Sequence, residues 1–277
     1  MTGPVSAIHA RSWLFVPGDR PDRFRKAATS GADVVLIDLE DAVDPQWKAL
    51  ARDACRKHLD AGQPAAIRVN GVDTPYVNED LRALAGTKPT AIVVPKAESP
   101  EQIRSLVAAF PQDVPVVALI ETIKGVDAMA DIAAEPAVVR LALGHIDLSM
   151  DLGVGLEAPL LVHVRNLMVL ASRRAHLHPP IDGICLEMVA TDAVTVQVHG
   201  AREQGFRGKL CIHPTQVPVV NYGFTPSQDD VDWAHQVVAL SRSAGSGAIA
   251  HESRMIDRAV IKRAEGILLL AAQYGRR

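Results

Sequence analysis

Short apolar runs alternate with amphipathic stretches along most of the chain. Each run is rich in β-branched residues, and each following stretch spaces its apolar positions as a helix does. Eight such runs can be read, over residues 12–16, 34–39, 65–70, 91–95, 116–120, 140–144, 181–186 and 209–212. Since a (β/α)₈ TIM barrel consists of eight parallel strands that are each followed by a helix, the pattern predicts that α/β fold.

Helical patterns fill the intervals between these runs. Examples lie over residues 22–30, 48–61, 101–109 and 192–204. A doubly wound open sheet would alternate in the same way, but it usually carries a glycine-rich phosphate loop after its first strand. The sequence there, VPGDRP over residues 16–21, lacks that motif, which favours the barrel.

The last part of the chain departs from the alternation. Residues 227–243 predict a closing helix, residues 244–248 have the sequence AGSGA of a flexible joint, and residues 257–274 predict a further helix. This last helix carries more apolar side chains than a helix on a completed barrel can easily bury. We therefore expect a barrel over residues 1–243 and a C-terminal hinge and helical extension over residues 244–277 that packs on a neighbouring subunit. Packing on the barrel of its own chain is the alternative.

Composition narrows the class of protein. Of the 277 residues, 48% are hydrophobic and only 4% aromatic, so an aliphatic core of buried parallel strands is expected. The formal charge of -3 argues against a nucleic acid or an anionic membrane as a partner. The three cysteines form no C-x-x-C pair, and no apolar run reaches the roughly 18 residues of a membrane span. We expect a soluble, cytoplasmic protein.

Charged side chains follow the ends of most of the apolar runs. The active sites of barrels lie at the carboxyl ends of the strands, which all point to one face. The residues at these positions are Asp19, Arg20, Asp38, Glu40, Asp41, Arg68, Lys96, Glu98, Glu121, Asp147, Glu187 and His213. The set predicts one polar rim, although a surface salt bridge remains the alternative for any single member. For His213 we favour a buried hydrogen-bonding role.

Two of these carboxylates are candidate metal ligands. Glu121 ends the fifth run, and Asp147 lies just beyond the sixth. Neighbouring strands are about 4.8 Å apart, so the two side chains can converge on one ion. Carboxylate oxygens suit Mg²⁺, with Mn²⁺ as an alternative, and leave positions for a substrate oxygen. A carboxylate pair bridged by an arginine is the competing interpretation.

Arg68 lies within an otherwise apolar run. A guanidinium there costs several kcal/mol unless an anion meets it. That anion is either a carboxylate of the adjacent strand, from Asp38, Glu40 or Asp41, or it is a substrate carboxylate or a developing enolate.

Segments along nearly the whole chain resemble one known family. They are RSWLFVPGDRPDRF (11–24), DLEDAV (38–43), IRVNG (67–71), VPK (94–96), LIET (119–122), GHIDLSMDLG (144–153), GKLCIHP (208–214) and RMID (254–257). In this order they resemble the citrate lyase β-subunit-like branch of the HpcH/HpaI aldolases, which includes malyl-CoA and citramalyl-CoA lyases. The resemblance implies a barrel that forms homotrimers or hexamers and acts as a Mg²⁺-dependent carbon-carbon lyase.

The resemblance also implies roles for individual residues. Glu121 and Asp147 would hold Mg²⁺, and Arg68 would hold the substrate. The CoA thioester would lie on Phe15, Arg20, Arg23 and Lys26. In related lyases the aspartate of the RMID segment reaches a neighbour's site, so Asp257 is expected to return a proton to carbon, with an N-cap of the last helix as the alternative. Glu40 and Asp41 are expected to orient Arg68 or metal-bound water.

The reaction implied is the cleavage of a 3-hydroxyacyl-CoA thioester of the malyl-CoA or citramalyl-CoA type into acetyl-CoA and a 2-oxo acid. The reverse reaction forms the thioester from the same two compounds. The alternatives are a citrate lyase β-subunit acting on a citryl thioester of an acyl carrier protein, a CoA-independent pyruvate aldolase, and a catalytically silent barrel scaffold. His145 and Ile146 depart from the usual family pattern before Asp147, as do residues 248–253 before Arg254. Exact substrate preference is therefore not implied.

Overall fold

The computed structural model describes residues 6–110, 113–188, 191–244, 249–251 and 254–275. The chain forms two compact units, and the boundary between them lies between Asn221 and Tyr222. The domain boundary predicted from the sequence, between residues 243 and 244, stays a prediction. Most of the predicted joint after residue 244, namely residues 245–248, and also residues 252–253 lie outside the described residues.

The first unit is built on a parallel sheet that curls into a half-barrel. Its seven strands are β1 (Ser12–Pro17), β2 (Val34–Asp38), β3 (Ala66–Arg68), β4 (Ile92–Val94), β5 (Val116–Ile120), β6 (Val138–Leu143) and β7 (Lys209–Cys211). Their order in the sheet is β6-β5-β4-β3-β2-β1-β7. The first six strands thus lie side by side in chain order, as successive β-α units of one hand place them.

One predicted strand is much shorter than the apolar run suggests. Of residues 181–186 only the first two pair: Ile181 with Ala142 of β6, and Asp182 with Lys209 of β7. The prediction of a strand beyond Asp182 is wrong, because the backbone there finds other partners. The side-chain amide of Gln216 donates to the carbonyls of Cys185 and Glu187, at 2.9 and 3.2 Å.

Helices follow the strands of this unit. They are α1 (Phe24–Ala28), α2 (Lys48–Asp60), α3 (Val77–Leu84), α4 (Pro100–Val107), α5 (Ile123–Ala133), α6 (His145–Leu152), α7 (Pro159–Arg174), α8 (Thr191–Gln204) and α9 (Gln216–Phe224), the last of which contains the boundary between the units. Short 3₁₀ turns precede α1 and α2. Ser99 caps α4 in a capping box with Gln102, which fixes the start of this helix at Pro100.

The core of the first unit is largely aliphatic, as the composition predicts. Alternate side chains of the strands, such as Leu36, Val93, Leu119 and Ala142, pack together with Trp13. At the amino ends of the strands, the buried guanidinium of Arg140 donates to main-chain carbonyls before β1 and before Ile181. The charged rim discussed below lies at the opposite, carboxyl ends.

The second unit consists of two helices and a hairpin. These are α10 (Gln228–Ala244), the antiparallel strands β8 (Ile249–His251) and β9 (Arg254–Ile256), and α11 (Arg258–Gln273). Part of the apolar surface of α11 packs against α10 through Ala234, Val237 and Ala264, while Leu269 stays 72% exposed. Packing of α11 on a neighbouring subunit stays a prediction. In the described part of the chain, no helix is both long and apolar enough to cross a membrane.

Candidate active site

A cavity of about 950 Å³ lies at the carboxyl ends of the strands in the first unit. Several of the rim residues predicted from the sequence line it, namely Asp38, Asp41, Arg68, Glu121, Asp147 and His213. The expectation that side chains at the strand ends share one rim is therefore confirmed for these positions. The arrangement follows from the parallel sheet, which turns all carboxyl ends of its strands to one face.

Glu121 follows β5 directly and is held in a tight environment. Its side chain is only 2% exposed, and its Oε1 accepts the backbone N–H of Lys96 at 2.8 Å. Gly144, which follows β6, packs so closely on the carboxyl group that a Cβ at that position would collide with it. Lys96 itself has φ 44°, the left-handed region that costs a non-glycine residue energy. The strained backbone of Lys96 thus directs an N–H at Glu121.

Arg68 ends β3 and is bound by the neighbouring strand. Its Nε and Nη2 donate to the two carboxylate oxygens of Asp38 at 2.7 and 2.6 Å, and its Nη1 lies 3.0 Å from Glu40 Oε2. The guanidinium also stacks over the ring of Phe15 at 4.9 Å. Of the anions considered for Arg68, Asp38 and Glu40 meet it in the structure, whereas Asp41 is exposed at the cavity wall.

The carboxyl groups around Arg68 are under-compensated, which means that the neighbouring cations do not fully balance their negative charge. Burial, followed by the charge of Glu40, raises the pKa of Glu121 to about 8, against the opposing effects of the Lys96 N–H and Arg68. Burial likewise raises the pKa of Glu40 to about 7, with Asp41 and Asp38 adding to the effect. The Lys96 ammonium, 3.7 Å from Glu40, is half exposed and screens these charges only in part. The cations around Glu121 and Glu40 therefore do not balance the negative charge of these carboxylates, and a bound cation would stabilise it.

Glu121 and Asp147 together fit a hard divalent cation. Asp147 lies in the first turn of α6 and lines the same cavity as Glu121. Over the described ranges, neither carboxylate forms an ion pair with an arginine, as the competing interpretation required. No cluster of three or more potential metal ligands occurs among the residues that the structure describes. Two carboxylates suit an ion such as Mg²⁺, which keeps several waters and accepts substrate oxygens.

Of the four residues expected to contact CoA, three line the cavity and one does not. Phe15, Arg23 and Lys26 line the cavity beside β1 and α1. Arg20 does not line it; its exposed guanidinium pairs at 2.9 to 3.0 Å with Asp22, which does line the cavity. Three of the four positions therefore share one wall of the cavity, and Arg20 would have to release Asp22 to join them.

Asp257 belongs to the second unit and caps α11. Its carboxylate accepts the backbone N–H of Val260 at 2.9 Å, which is the N-cap geometry considered as the alternative. Its expected role in proton transfer at a neighbour's site stays a prediction.

His213 differs from the sequence-based interpretation. It is half-buried and lines the cavity, so it is not a residue of the core. Its Nδ1 lies 2.8 Å from the hydroxyl of Thr215. The sequence could have marked His213 as a cavity residue, because it directly follows an apolar run as Glu121 does. The backbone N–H that Lys96 directs at Glu121 was not predicted.

The first unit thus defines a class of α/β proteins with a parallel sheet and an acidic, arginine-containing cavity at the strand ends. The family model of the HpcH/HpaI aldolase/citrate lyase family matches residues 11–214. The chain belongs to this family, and it is an enzyme of the carbon-carbon lyase class. The resemblance seen in the sequence motifs is confirmed.

Individual relatives agree with this assignment. A structure of the protein CitE from Mycobacterium tuberculosis in complex with magnesium, acetoacetate and coenzyme A is similar, with a TM-score of 0.84, 37% identity and coverage of 95% of this chain and 98% of that chain. Two proteins of Cereibacter sphaeroides (strain ATCC 17025) are also similar. A (3S)-malyl-CoA thioesterase is 31% identical, over 95% of this chain and 97% of its own. An L-malyl-CoA/beta-methylmalyl-CoA lyase is 32% identical, over 96% and 95%.

Proposed function

We propose that the protein is a Mg²⁺-dependent lyase that cleaves or forms a 3-hydroxyacyl-CoA thioester of the malyl-CoA or citramalyl-CoA type. Cleavage would give acetyl-CoA and a 2-oxo acid. The observation that carries this proposal is the single cavity that the under-compensated Glu121 lines together with Asp147 and Arg68. The similar structure that holds magnesium, acetoacetate and coenzyme A supports it, as do two relatives named for malyl-CoA.

Glu121 and Asp147 are the residues that would hold the ion. When bound, Mg²⁺, or Mn²⁺ in its place, supplies Lewis-acid stabilisation of negative charge on substrate oxygens. Glu121 is pre-positioned for this task by the Lys96 N–H and by the close approach of Gly144. Glu40, which pairs with Arg68, is placed to orient that guanidinium.

Arg68 would bind the substrate and stabilise the thioester enolate that forms when the carbon-carbon bond breaks. Asp38 fixes two of its nitrogens in a bidentate pair, and Phe15 supports the plane of the guanidinium. A preorganised cation costs little reorganisation when negative charge develops in the transition state. Asp257 of a neighbouring subunit would return the proton to the enolate carbon, which requires it to leave the N–H of Val260.

The cavity wall beside β1 would hold the CoA moiety. Arg23 and Lys26 are exposed cations beside Phe15, suited to phosphate and to an apolar pantetheine arm. This wall favours a CoA thioester over a free aldehyde as in a CoA-independent pyruvate aldolase. A citryl thioester on an acyl carrier protein is the second candidate substrate, since its pantetheine arm would use the same wall.

The architecture and assembly form part of the proposal. We infer that the sheet closes as a (β/α)₈ barrel, supported by the backbone bonds of Ile181 to β6 and of Asp182 to Leu210. Residues 244–277 would act as a C-terminal extension that packs on a neighbouring subunit of a homotrimer or hexamer. The partners would be small CoA thioesters and 2-oxo acids in the cytoplasm, with no nucleic acid and no membrane.

A product assay tests this function directly. The full chain is incubated with Mg²⁺ and a panel of 3-hydroxy dicarboxylyl thioesters, and acetyl-CoA and the 2-oxo acid are measured by mass spectrometry. Mg²⁺-dependent formation of both products is expected, and EDTA should abolish it. If acetyl-CoA does not bind in isothermal titration in the presence of Mg²⁺ and a 2-oxo acid, the CoA assignment is wrong. If no substrate is turned over, a catalytically silent scaffold is favoured.

A further inference from the structure

Lys48 is a buried lysine at a position that disfavours a cation. It is the first residue of α2, where the partial positive charge of the helix N-terminus repels an ammonium group. The residue is nonetheless only 6% exposed, and burial lowers its pKa, because the ammonium group loses its hydration. Specific contacts must offset the cost of burying this charge.

These contacts are made with the loop that follows β2. The Nζ of Lys48 donates to the carbonyl of Leu39 at 2.8 Å and to the carbonyl of Glu40 at 3.0 Å. It also lies 5.1 Å from the centre of the Tyr76 ring. Lys48 does not line the cavity, so it can affect a reaction there only through the residues that it holds.

The main chain of Glu40 is held on both sides. Its N–H donates to Oδ1 of Asp38 at 2.9 Å, and its carbonyl accepts from Lys48 and, at 3.1 Å, from the N–H of Val43. With the backbone fixed at both groups, the position of the carboxylate depends only on the side-chain torsions of Glu40. In this arrangement Oε2 lies 3.0 Å from Nη1 of Arg68.

Loss of the ammonium group would act on this loop and not on the strands. The buried Leu39 carbonyl would lose a donor, and a buried carbonyl without a partner is costly, so the loop would shift to find another. That shift moves Glu40 relative to Arg68. The bidentate pair of Arg68 with Asp38 lies within the β2–β3 ladder and would stay in place.

We propose that Lys48 is a positioning residue for the lyase reaction, which acts by keeping Glu40 aligned with Arg68. The proposal rests on the proposed function, in which Arg68 stabilises the enolate formed by carbon-carbon cleavage. A guanidinium stabilises the transition state best when it is already oriented as the negative charge develops. Loss of Lys48 should therefore lower kcat more than it raises KM, because the cavity wall beside β1 that would bind CoA is left unchanged.

A double-mutant cycle tests the link between Lys48 and Glu40. The substrate is malyl-CoA or citramalyl-CoA, whichever the wild type with Mg²⁺ cleaves faster. Lys48→Met keeps the length of the side chain and removes the donor, so kcat should fall by about 30-fold, with KM changed by less than about threefold. In the Glu40→Gln background the same substitution should lower kcat by less than about threefold, because the residue through which it acts is already altered.

Two further variants of α2 serve as matched controls. Lys57→Met removes an exposed lysine that pairs with Asp53, and it should leave both kcat and the thermal midpoint unchanged. Leu59→Ala removes a buried side chain at the other end of the helix. It should lower the thermal midpoint by about 5 °C and leave kcat unchanged well below that midpoint. A purely structural Lys48 would behave as Leu59→Ala does.

A crystal structure of the Lys48 variant gives a second measurement that does not depend on turnover. Glu40 Oε2 should lie more than about 4 Å from Arg68 Nη1, beyond the range of an ion pair. If Lys48→Met unfolds, as circular dichroism would report, Lys48→Gln takes its place in the cycle and in the crystal. Its shorter, uncharged side chain cannot reach both carbonyls, so the same results are expected.

The outcomes distinguish this proposal from the proposed function. Retained kcat in Lys48→Met, or equal falls of kcat in both backgrounds, would overturn the role of Lys48 and leave the lyase assignment intact. An unchanged contact between Glu40 and Arg68 in the crystal would overturn it as well. If the wild type cleaves neither thioester, the proposed function is wrong, and the crystal structure alone decides whether Lys48 positions Glu40.

Discussion

Two buried carboxylates of the first unit, Glu121 and Asp182, have opposite electrostatic settings. They are 2% and 3% exposed, respectively. Asp182 is paired on both oxygens, with Arg165 and with Lys209, the latter at 2.8 Å. Burial alone would raise the pKa of Asp182, but Lys209 and Arg165 outweigh it and lower the pKa below its usual value. Glu121 has one backbone donor and no ion pair with Arg68, whose nitrogens bind Asp38 and Glu40, so burial and the charge of Glu40 raise its pKa.

The difference teaches how a structural charge is told apart from a functional one. A structural ion pair supplies its own counter-charges, because an unpaired buried ion is costly. A site for a cation leaves part of the compensation to the ligand. Breaking the first arrangement should reduce stability, whereas neutralising the second should reduce function.

Removal of the lysine from the structural pair should have the largest effect. Lys209→Met leaves Asp182 buried with Arg165 as its remaining partner, and Lys209 also binds the Gly183 carbonyl at 2.7 Å. We expect a loss of about 3–5 kcal/mol in the free energy of unfolding, measured by urea denaturation. The double variant Lys209→Met/Asp182→Leu should recover part of it. A loss below about 1 kcal/mol would mean that the pair is not structural.

Neutralisation of Glu121 should have the opposite profile. Glu121→Gln keeps the shape and removes a ligand charge, so Mg²⁺-dependent turnover should fall by at least about 100-fold. In EDTA, the thermal midpoint should stay unchanged or rise, because an under-compensated buried charge is removed. Glu98→Gln is the matched control, since Glu98 pairs with Lys124 at 3.8 Å and does not line the cavity. Retained turnover or Mg²⁺ affinity in Glu121→Gln would contradict the metal assignment.

A half-buried histidine, His178, extends the comparison to a group that becomes cationic when it is protonated. Burial, followed by His9 and Arg140, lowers the pKa of His178 from 6.5 to about 4. The unfolded chain therefore binds a proton at higher pH than the folded one, and stability falls as the pH drops from 6.5 towards 4. His178→Gln should remove on the order of 1 kcal/mol of this acid sensitivity, allowing for solvent screening. Urea denaturation at pH 7 and pH 5 measures it, and identical pH slopes in both proteins would reject the assignment.

The smallest effect concerns the backbone that presents an N–H to Glu121. Glycine adopts the left-handed conformation of Lys96 without a steric penalty, whereas alanine does not. Both variants lose the half-exposed ammonium, so Lys96→Gly should be more stable than Lys96→Ala by about 1 kcal/mol. Chemical denaturation of the two variants in parallel gives this difference. If alanine is as stable as glycine, the strain is not real.

The sequence predicts the polar rim well because the spacing of the apolar runs indicates where each strand ends. Glu121, Asp147, Arg68 and Asp38 each lie at or after an apolar run, and parallel strands turn them to one face. The sequence does not show strand register. Asp38 and Arg68 are direct partners in the β2–β3 ladder, which is what makes their bidentate pair short, and only the paired structure reveals this.

Other features depend on contacts that no local pattern encodes. Residues 181–186 have the composition of a strand, yet pairing ends at Asp182, because a distant glutamine amide binds the following carbonyls. Arg20 looks like its neighbours Arg23 and Lys26, but Asp22 is close enough to pair with it. The N-cap of Asp257 was foreseen, because a capping aspartate before a helical pattern is a local signal.

Gly144 lines the cavity, Gly183 packs against the lining residue His145, and both positions limit how the site can be redesigned. A side chain at Gly144 would collide with the carboxyl group of Glu121, and one at Gly183 would collide with the imidazole of His145. Mutant libraries that vary either position should therefore return glycine among active clones. Ile146 and Leu186 line the same cavity with side chains of their own, so substitutions there change its width directly.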